Sequence, residues 1–474
     1  MKRIAIIGGG ISGLSAAHTI EEKRQSGAEV GYVLFESSPR LGGVMVTDRV
    51  DGCLVEAGPD SFLTEKPWAA DLCRKIGLGD QLIGSNDAKR KTYIVKKNKL
   101  HVMPDGLMFM VPTKIMPTVL SPLFSLRTKF RMAGEWFHPP HKAEEDETVA
   151  EMVERHYGSE MVELLADPLL SGVYGGESSD LSVRAVLPRF ADMEPKHGSL
   201  GRAMLDARKT ARKKMGASAN APARPLFTSL QEGMQQMVDA VVARLDANAL
   251  KTSTLVQSVV PQDNAWTVSA GYQSDQFDAV IVATPAHVAS FVLQAADENL
   301  ARELGEIQYS SSVTVALGYD EKVRRSLPPG FGFLVPRSEG RRMLAATFVH
   351  NKFPHRASED RALLRCFLGG ARDEQILDSS EEEILAIVRA ELRQIIRLDA
   401  EPLFTRVYKW KSAMAQYFVG HLERLQRIES LRQRLPGLAL AGNGYKGIGV
   451  PDCVRSGVEA ASKILAEMGM WSAA

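Results

Sequence analysis

Two kinds of apolar run recur along this chain. Arg3 to Ile7, Val30 to Phe35, Phe277 to Ala283 and Leu438 to Ala441 are nearly continuous, the pattern of strands buried on both faces. Tyr93 to Val102 instead alternates around Lys97-Asn98-Lys99 and reads as a hairpin. Thr252 to Val260 and Trp266 to Ala270 predict two further strands. Ser310 to Gly318, Gly332 to Pro336, Met343 to Val349, Ala362 to Gly369 and Leu403 to Trp410 predict a second sheet. Helical spacing marks the stretch after Gly13, Pro67 to Ile76, Gly233 to Leu245, Glu381 to Ile396 and Cys453 to Met468. Pro104 to about Pro225 is mostly helical and broken by prolines. Within it, Gly216 to Pro225 is Ala-rich and reads as a linker or loop tip. The order predicts an α/β fold. It comprises a discontinuous Rossmann-type domain (1–90, 226–290, 406–474), a mixed-sheet domain (91–105, 291–405) and a helical insert (106–225).

Composition narrows the class. The chain has 474 residues, 45% hydrophobic and 24% charged, ordinary values for a globular enzyme. A net charge of +1 does not suggest a nucleic-acid binder. The four cysteines, Cys53, Cys73, Cys366 and Cys453, are far apart, so a disulfide frame or zinc site is not expected and a reducing cytoplasm is. Met1 to Ile7 runs straight into glycines rather than a cleavage site, and no apolar stretch reaches the roughly twenty residues of a membrane span.

Candidate chemistry begins at the first break. Gly8, Gly10 and Gly13 fit a strand–turn–helix in which the backbone can approach a pyrophosphate at a helix N-terminus. Glu36 closes the second strand roughly twenty residues on, where a carboxylate can accept ribose hydroxyls. Arg40, Gly42 and Gly43 follow and point to a flavin dinucleotide. Near the other end, Gly442 to Asp452 is a second glycine-rich turn before a helix. A helix N-terminus there can stabilise negative charge on a reduced flavin.

These motifs resemble the amine oxidase-like FAD flavoproteins. Finer ones resemble the protoporphyrinogen/coproporphyrinogen oxidases of haem biosynthesis: Gly58-Pro59-Asp60-Ser61-Phe62, Asp167 to Gly176, Trp410 to His421 and Gly444 to Val454. The likeness runs from Met1 to about Leu465. One position departs: Ala415 stands where the family usually has proline, which puts the local turn in question.

The resemblance implies non-covalent FAD and removal of six hydrogens from a porphyrinogen, with dioxygen as acceptor and hydrogen peroxide as product. Protoporphyrinogen IX is the first expectation and coproporphyrinogen III the alternative. No metal is implied, and no side chain is assigned as acid or base. Implied FAD contacts are Gly8, Gly10, Ile11, Ser12, Gly13, Glu36, Ser37, Arg40, Gly42, Gly43, Gly58, Pro59, Asp60 and Ser61. Val256, Ala283, Trp410, Gly442, Gly449, Val450 and Pro451 complete them. Leu334, Thr347 and Phe367 would wall the substrate, and Gly175 and Gly176 would meet it closely through a backbone carbonyl. Arg90 and Lys91 would take propionates, with Lys66 and Lys352 as weaker candidates.

Implied partners are the porphyrinogen, dioxygen, a ferrochelatase and the inner face of the cell membrane, with a monomer or homodimer as the assembly. The Met- and Phe-rich stretch from 104 to 137 is expected chiefly as cavity wall and core, with membrane contact as the alternative. The basic run Arg208 to Lys214 is expected to be a solvated face. An amine oxidase would carry a lysine on the strand near the flavin; Ser310 to Tyr319 has none. A carotenoid desaturase is a remoter alternative.

Overall fold

The computed structural model describes all residues except 109, 142–144, 216–223 and 472–474, so most of the expected linker at Gly216 to Pro225 lies outside the described residues. The chain opens with β1 (Lys2–Ile7), α1 (Ile11–Gln25) and β2 (Val30–Phe35). The hairpin is β3 (Thr92–Lys96) and β4 (Lys99–Val102). The insert supplies α2 (Leu126–Glu135), α3 (Val149–Tyr157), α4 (Asp167–Tyr174), α5 (Pro188–His197) and α6 (Leu200–Met215). β5 (Leu250–Lys251), β6 (Val256–Gln262) and β7 (Ala279–Val282) follow. Then come β8 (Tyr309–Asp320), β9 (Gly332–Leu334), β10 (Met343–Phe348), β11 (Arg361–Gly369), α7 (Glu381–Ile396) and β12 (Phe404–Ala415). The chain closes with α8 (His421–Arg432), β13 (Leu438–Leu440) and α9 (Val450–Glu467).

The continuous apolar runs form one parallel sheet in the order β5-β2-β1-β7-β13. Both faces are buried, Ile4, Ile6 and Ile281 in one cluster and Ala5, Ile7, Val280 and Val282 in another. Its strands therefore carry no polar alternation. α1 and α9 pack on the same face, and Gly457 makes their contact possible. A Cβ there would lie 2.0 Å from the Ser12 carbonyl oxygen.

The second sheet has seven strands in the order β12-β8-β11-β10-β9-β3-β4, antiparallel except where β9 meets β3. Strand pairing carries it through Ala415, past the expected boundary at 405. Ala415 is a ladder residue opposite Tyr309, so no turn forms where relatives have proline. One face of this sheet, with Val95, Val315, Phe333 and Cys366, is sealed by Ile384, Val388 and Leu392 of α7. The other face turns toward the insert and the first sheet.

A buried charge cluster ties three segments remote along the chain together. Arg356 is 1% exposed and pairs with Glu56 at 2.7 Å, while its Nη2 donates to Ser229 Oγ at 2.7 Å. Breaking such a pair from one side costs about 3–5 kcal/mol.

The insert has its own core, including Leu123, Phe124, Met152, Tyr157, Leu165 and Phe190. Its surface differs from the expectation of mainly core. Met116, Leu120, Leu126, Phe130 and Phe137 are each at least 65% exposed. In the basic run, Arg208 and Lys209 are exposed as expected. The side chains from 211 on lie outside the described residues.

A buried ionic knot ties the insert helices together. His156 of α3 meets Glu135 of α2 at 3.2 Å and Glu194 of α5 at 2.8 Å, one through each ring nitrogen. Arg155 also donates to Glu194, and the His138 ring stacks on His156 at 4.6 Å. Two carboxylate acceptors require both nitrogens to donate, so the ring is an imidazolium. Burial alone would lower its pKa; the two carboxylates outweigh burial and raise it above the ordinary value. Its stabilisation is therefore complete below pH 6.5 and lost as pH rises through the higher folded value. Glu135 and Glu194 titrate lower than usual, so their contribution is lost as pH falls below 4.5. Thermal melts should show stability declining above pH 6.5, and His156→Gln should flatten that slope. An unchanged slope in the variant would remove the imidazolium from the knot.

Candidate active site

Parallel strands deliver two helix N-termini to one edge. α1 follows β1 through Gly10, and α9 follows β13 through Gly449. Neither N-cap has a side-chain cap. Backbone N–H groups of both first turns are thus left for an outside acceptor. A Cβ on Gly10 would meet nothing within 4 Å, whereas one on Gly43 would meet only the Gly10 Cα, at 3.4 Å. The gap beside Gly10 is open and lined by backbone, a cradle suited to a pyrophosphate.

The expected contacts gather around this cradle. The Gly42 N–H donates to the Gly9 carbonyl at 2.8 Å, which docks the Arg40 to Gly43 loop on the first turn. The Arg40 guanidinium bonds to carbonyls of its own loop, including Gly43, and so shapes that loop. Glu36 accepts from the Gly9 N–H at 2.7 Å and the Ser38 N–H at 2.8 Å, and Ser37 lies beside it. The Thr254 N–H bonds to the Glu36 carbonyl at 2.8 Å, which brings the chain entering Val256 alongside. Ala283 sits behind Gly8, and Thr284 beside it has a buried Oγ1 with no partner among the described residues. Ile11, Ser12 and Gly13 begin α1; Val450 and Pro451 begin α9. Gly442 is held by Ser456 Oγ at 3.1 Å. Sequence reasoning missed Thr284, whose only signal was its place one residue beyond Ala283.

Gly58, Pro59, Asp60 and Ser61 form the turn that joins this cradle to the second sheet. Trp410 Nε1 donates to the Ala57 carbonyl at 2.9 Å, so the indole braces the turn from outside. Arg365 Nη2 donates to the Gly58 carbonyl at 2.6 Å. Asp60 meets Lys352 at 3.0 Å and Arg365 at 3.5 Å. Burial would raise the Asp60 pKa, but these two cations hold it well below the usual carboxylate range. With Arg356 and Glu56, three cations face two carboxylates behind the turn. This cluster went unread because its members are scattered from 56 to 365.

The open face of the second sheet carries the expected wall. Ile94, Leu334, Ala345, Phe367 and Thr314 form one cross-strand row. Thr347 and Arg365 lie one step along on the same face, since side chains alternate. Leu334, Thr347 and Phe367 are half-buried, unlike the sealed residues behind them. α4 covers the row from the insert side, with Leu169 and Tyr174 in the same apolar cluster as Leu334. Gly175 and Gly176 end α4 beyond Phe367.

Their carbonyls are engaged. Gly175 oxygen accepts from the Ala371 N–H at 2.7 Å, and Gly176 oxygen from Ser171 Oγ at 3.2 Å. Each carbonyl accepts one bond within the protein and keeps a second lone pair.

The cations divide into two kinds. Lys66 pairs with Asp452 at 2.6 Å, and Lys352 with Asp60. Both are neutralised within the protein. Arg90 and Lys91 are exposed, precede the Thr92–Gly332–Thr347 row, and have no side-chain partner among the described residues.

The chain was compared with known proteins. The family model described as flavin containing amine oxidoreductase matches residues 11–465. The coproporphyrinogen III oxidase of Bacillus subtilis is 35% identical over 468 residues, covering 98% of each chain. The chloroplastic protoporphyrinogen oxidase of Nicotiana tabacum is 29% identical, covering 97% of this chain and 84% of that protein. A solved structure from Exiguobacterium superposes with a TM-score of 0.86 at 29% identity, covering 99% of each chain.

Gly10→Val should separate folding from cofactor binding, because the added side chain enters open space. The variant should melt like apo wild type yet hold less than about a tenth of the flavin, read by absorbance after gel filtration. Full flavin occupancy would exclude the gap as the pyrophosphate path.

Proposed function

The chain belongs to the flavin containing amine oxidoreductase family, and from that premise we propose that it is an FAD-dependent porphyrinogen oxidase of haem biosynthesis. The carrying observation is the half-buried trio Leu334, Thr347 and Phe367 on the open sheet face, with exposed Arg90 and Lys91 just before the strand that extends this face and without a side-chain partner among the described residues. Bound FAD supplies the hydride acceptor. The protein's share is to hold a flat apolar macrocycle against it and exclude water. Leu334, Thr347 and Phe367 provide the surface, and Leu169 and Tyr174 of the insert close it from above. Arg90 can clamp a propionate bidentately, while Lys91 adds a point charge. Dioxygen is the proposed final acceptor.

Two porphyrinogens fit the reading. Protoporphyrinogen IX was the first expectation from sequence. The higher identity to the Bacillus enzyme than to the tobacco one favours coproporphyrinogen III. A side-by-side fluorescence assay under air should give the higher kcat/KM with coproporphyrinogen. A preference for protoporphyrinogen would restore the first choice, and inertness with both would overturn the function. Arg90→Ala should raise KM more than it lowers kcat; an unchanged KM would remove Arg90 from the site.

No helix among the described residues is long and apolar enough to cross a membrane. We propose a peripheral contact through Leu126, Phe130 and Phe137, between which Arg127 and Arg131 are also exposed. Such a surface would also bring the product near a membrane-associated ferrochelatase. The protein should sediment with phosphatidylglycerol vesicles and less with phosphatidylcholine, and Phe130→Asp with Phe137→Asp should abolish this. Sedimentation unchanged in the double variant would dismiss the surface.

A further inference from the structure

The geometry points to Gln416 and Tyr417 as a pair of positioning residues that set the substrate wall against the cofactor loop. They follow β12 directly and are 3% and 1% exposed. The two N–H groups of Gln416 Nε2 serve three acceptors within hydrogen-bond distance, one of them shared: the Tyr174 carbonyl at 2.7 Å, Ser310 Oγ at 2.9 Å and the Met414 carbonyl at 3.0 Å. Two carbonyl acceptors fix which end of the amide is the donor. The amide thereby clamps the last turn of α4 to the ends of β8 and β12. Gly176 leaves the room it needs, since a Cβ there would lie 2.1 Å from Gln416 Oε1.

Tyr417 works on the other side. Its hydroxyl donates to the Asn443 carbonyl at 2.6 Å and accepts from the Gly447 N–H at 2.8 Å. Its ring stacks on His421 at 4.2 Å, and His421 Nε2 donates to the Tyr445 carbonyl at 3.0 Å. The Asn443 side chain adds a third tie, donating to the Ala413 carbonyl at 2.9 Å and accepting from the Tyr309 hydroxyl at 3.3 Å. This loop leads within two residues to Gly449, the N-cap of α9. Burial raises the Tyr417 pKa, so the hydroxyl stays neutral and keeps both roles.

Neighbouring side chains of an extended segment point to opposite sides. Their Cα atoms are about 3.8 Å apart across a rigid peptide. Wall and loop are thus fixed to one short piece of backbone and cannot shift independently. The spacing between macrocycle and flavin is set there.

The test uses the full-length holoenzyme. Tyr417→Phe keeps the ring and removes only the hydroxyl. It should raise the Kd for FAD about tenfold, with KM for the porphyrinogen within about twofold at saturating FAD. Asn443→Ser removes the third tie by another route and should weaken FAD in the same direction. Gln416→Met should leave FAD affinity within about twofold and raise both KM and the Kd of the porphyrin product about tenfold. A general loss of stability would move both readouts together, and that result in either variant overturns the assignment. So does unchanged FAD affinity in both Tyr417→Phe and Asn443→Ser. The substrate arm rests on the porphyrinogen reading. Wild-type holoenzyme that binds no porphyrin would defeat that arm, while the FAD arm stands or falls on its own measurement.

Discussion

Close helix packing at Gly457 is the constraint on which the rest depends. With hydrogen alone on that Cα, α9 can lie against the Ser12 carbonyl of α1. Both helices leave the same edge of one parallel sheet, so their packing fixes two uncapped N-termini side by side. A larger residue would force the helices apart and move one positive end away from the other. The two segments meeting here are separated by more than four hundred residues of chain. The contact is made late in sequence and governs geometry established at the start.

Around that fixed pair, the second sheet acts as a partition with unlike faces. Its sealed face is an ordinary apolar core against α7. Its open face is half-buried and passes from the charged turn at Asp60 to the aliphatic row at Leu334. The charges are concentrated on the cofactor side, where Lys66 and Lys352 are neutralised locally. Arg90 and Lys91 are exposed and have no side-chain partner among the described residues. A buried lysine without a carboxylate would carry a desolvation cost of several kcal/mol. Cations free to meet a ligand are accordingly those that remain in water.

The insert couples a hydrophilic lock to a hydrophobic exterior. His156 and its carboxylates hold the helices from within, which lets Leu126, Phe130 and Phe137 point outward without the helices collapsing onto them. Helices of this length are marginal alone, so a buried ionic tie is a plain means of keeping an apolar surface open.

Local pattern determined a good deal. The continuous runs identified the parallel sheet because strands buried on both faces cannot alternate, and the glycine turns at Gly10 and Gly449 announced two helix starts without side-chain caps. Glu381–Ile396 was legible to the residue because its capping box and apolar spacing are local. Family motifs pointed to Gly58 to Ser61 and to Leu334, Thr347 and Phe367, which the fold places on the turn beside Arg365 and on the open sheet face. Sequence could not show that Lys66 and Lys352 are already paired, that the Gly175 carbonyl accepts from the Ala371 N–H, or that Met116, Phe130 and Phe137 are exposed. Each of those depends on a partner remote along the chain, and pairing of buried charges and carbonyls is decided by distance in space. The sequence by itself determined which chemistry the chain carries. Only the tertiary structure decided which of its charged groups remain unpaired among the described residues, because an ion pair depends on distance in space and a cation already neutralised by a carboxylate attracts a ligand less.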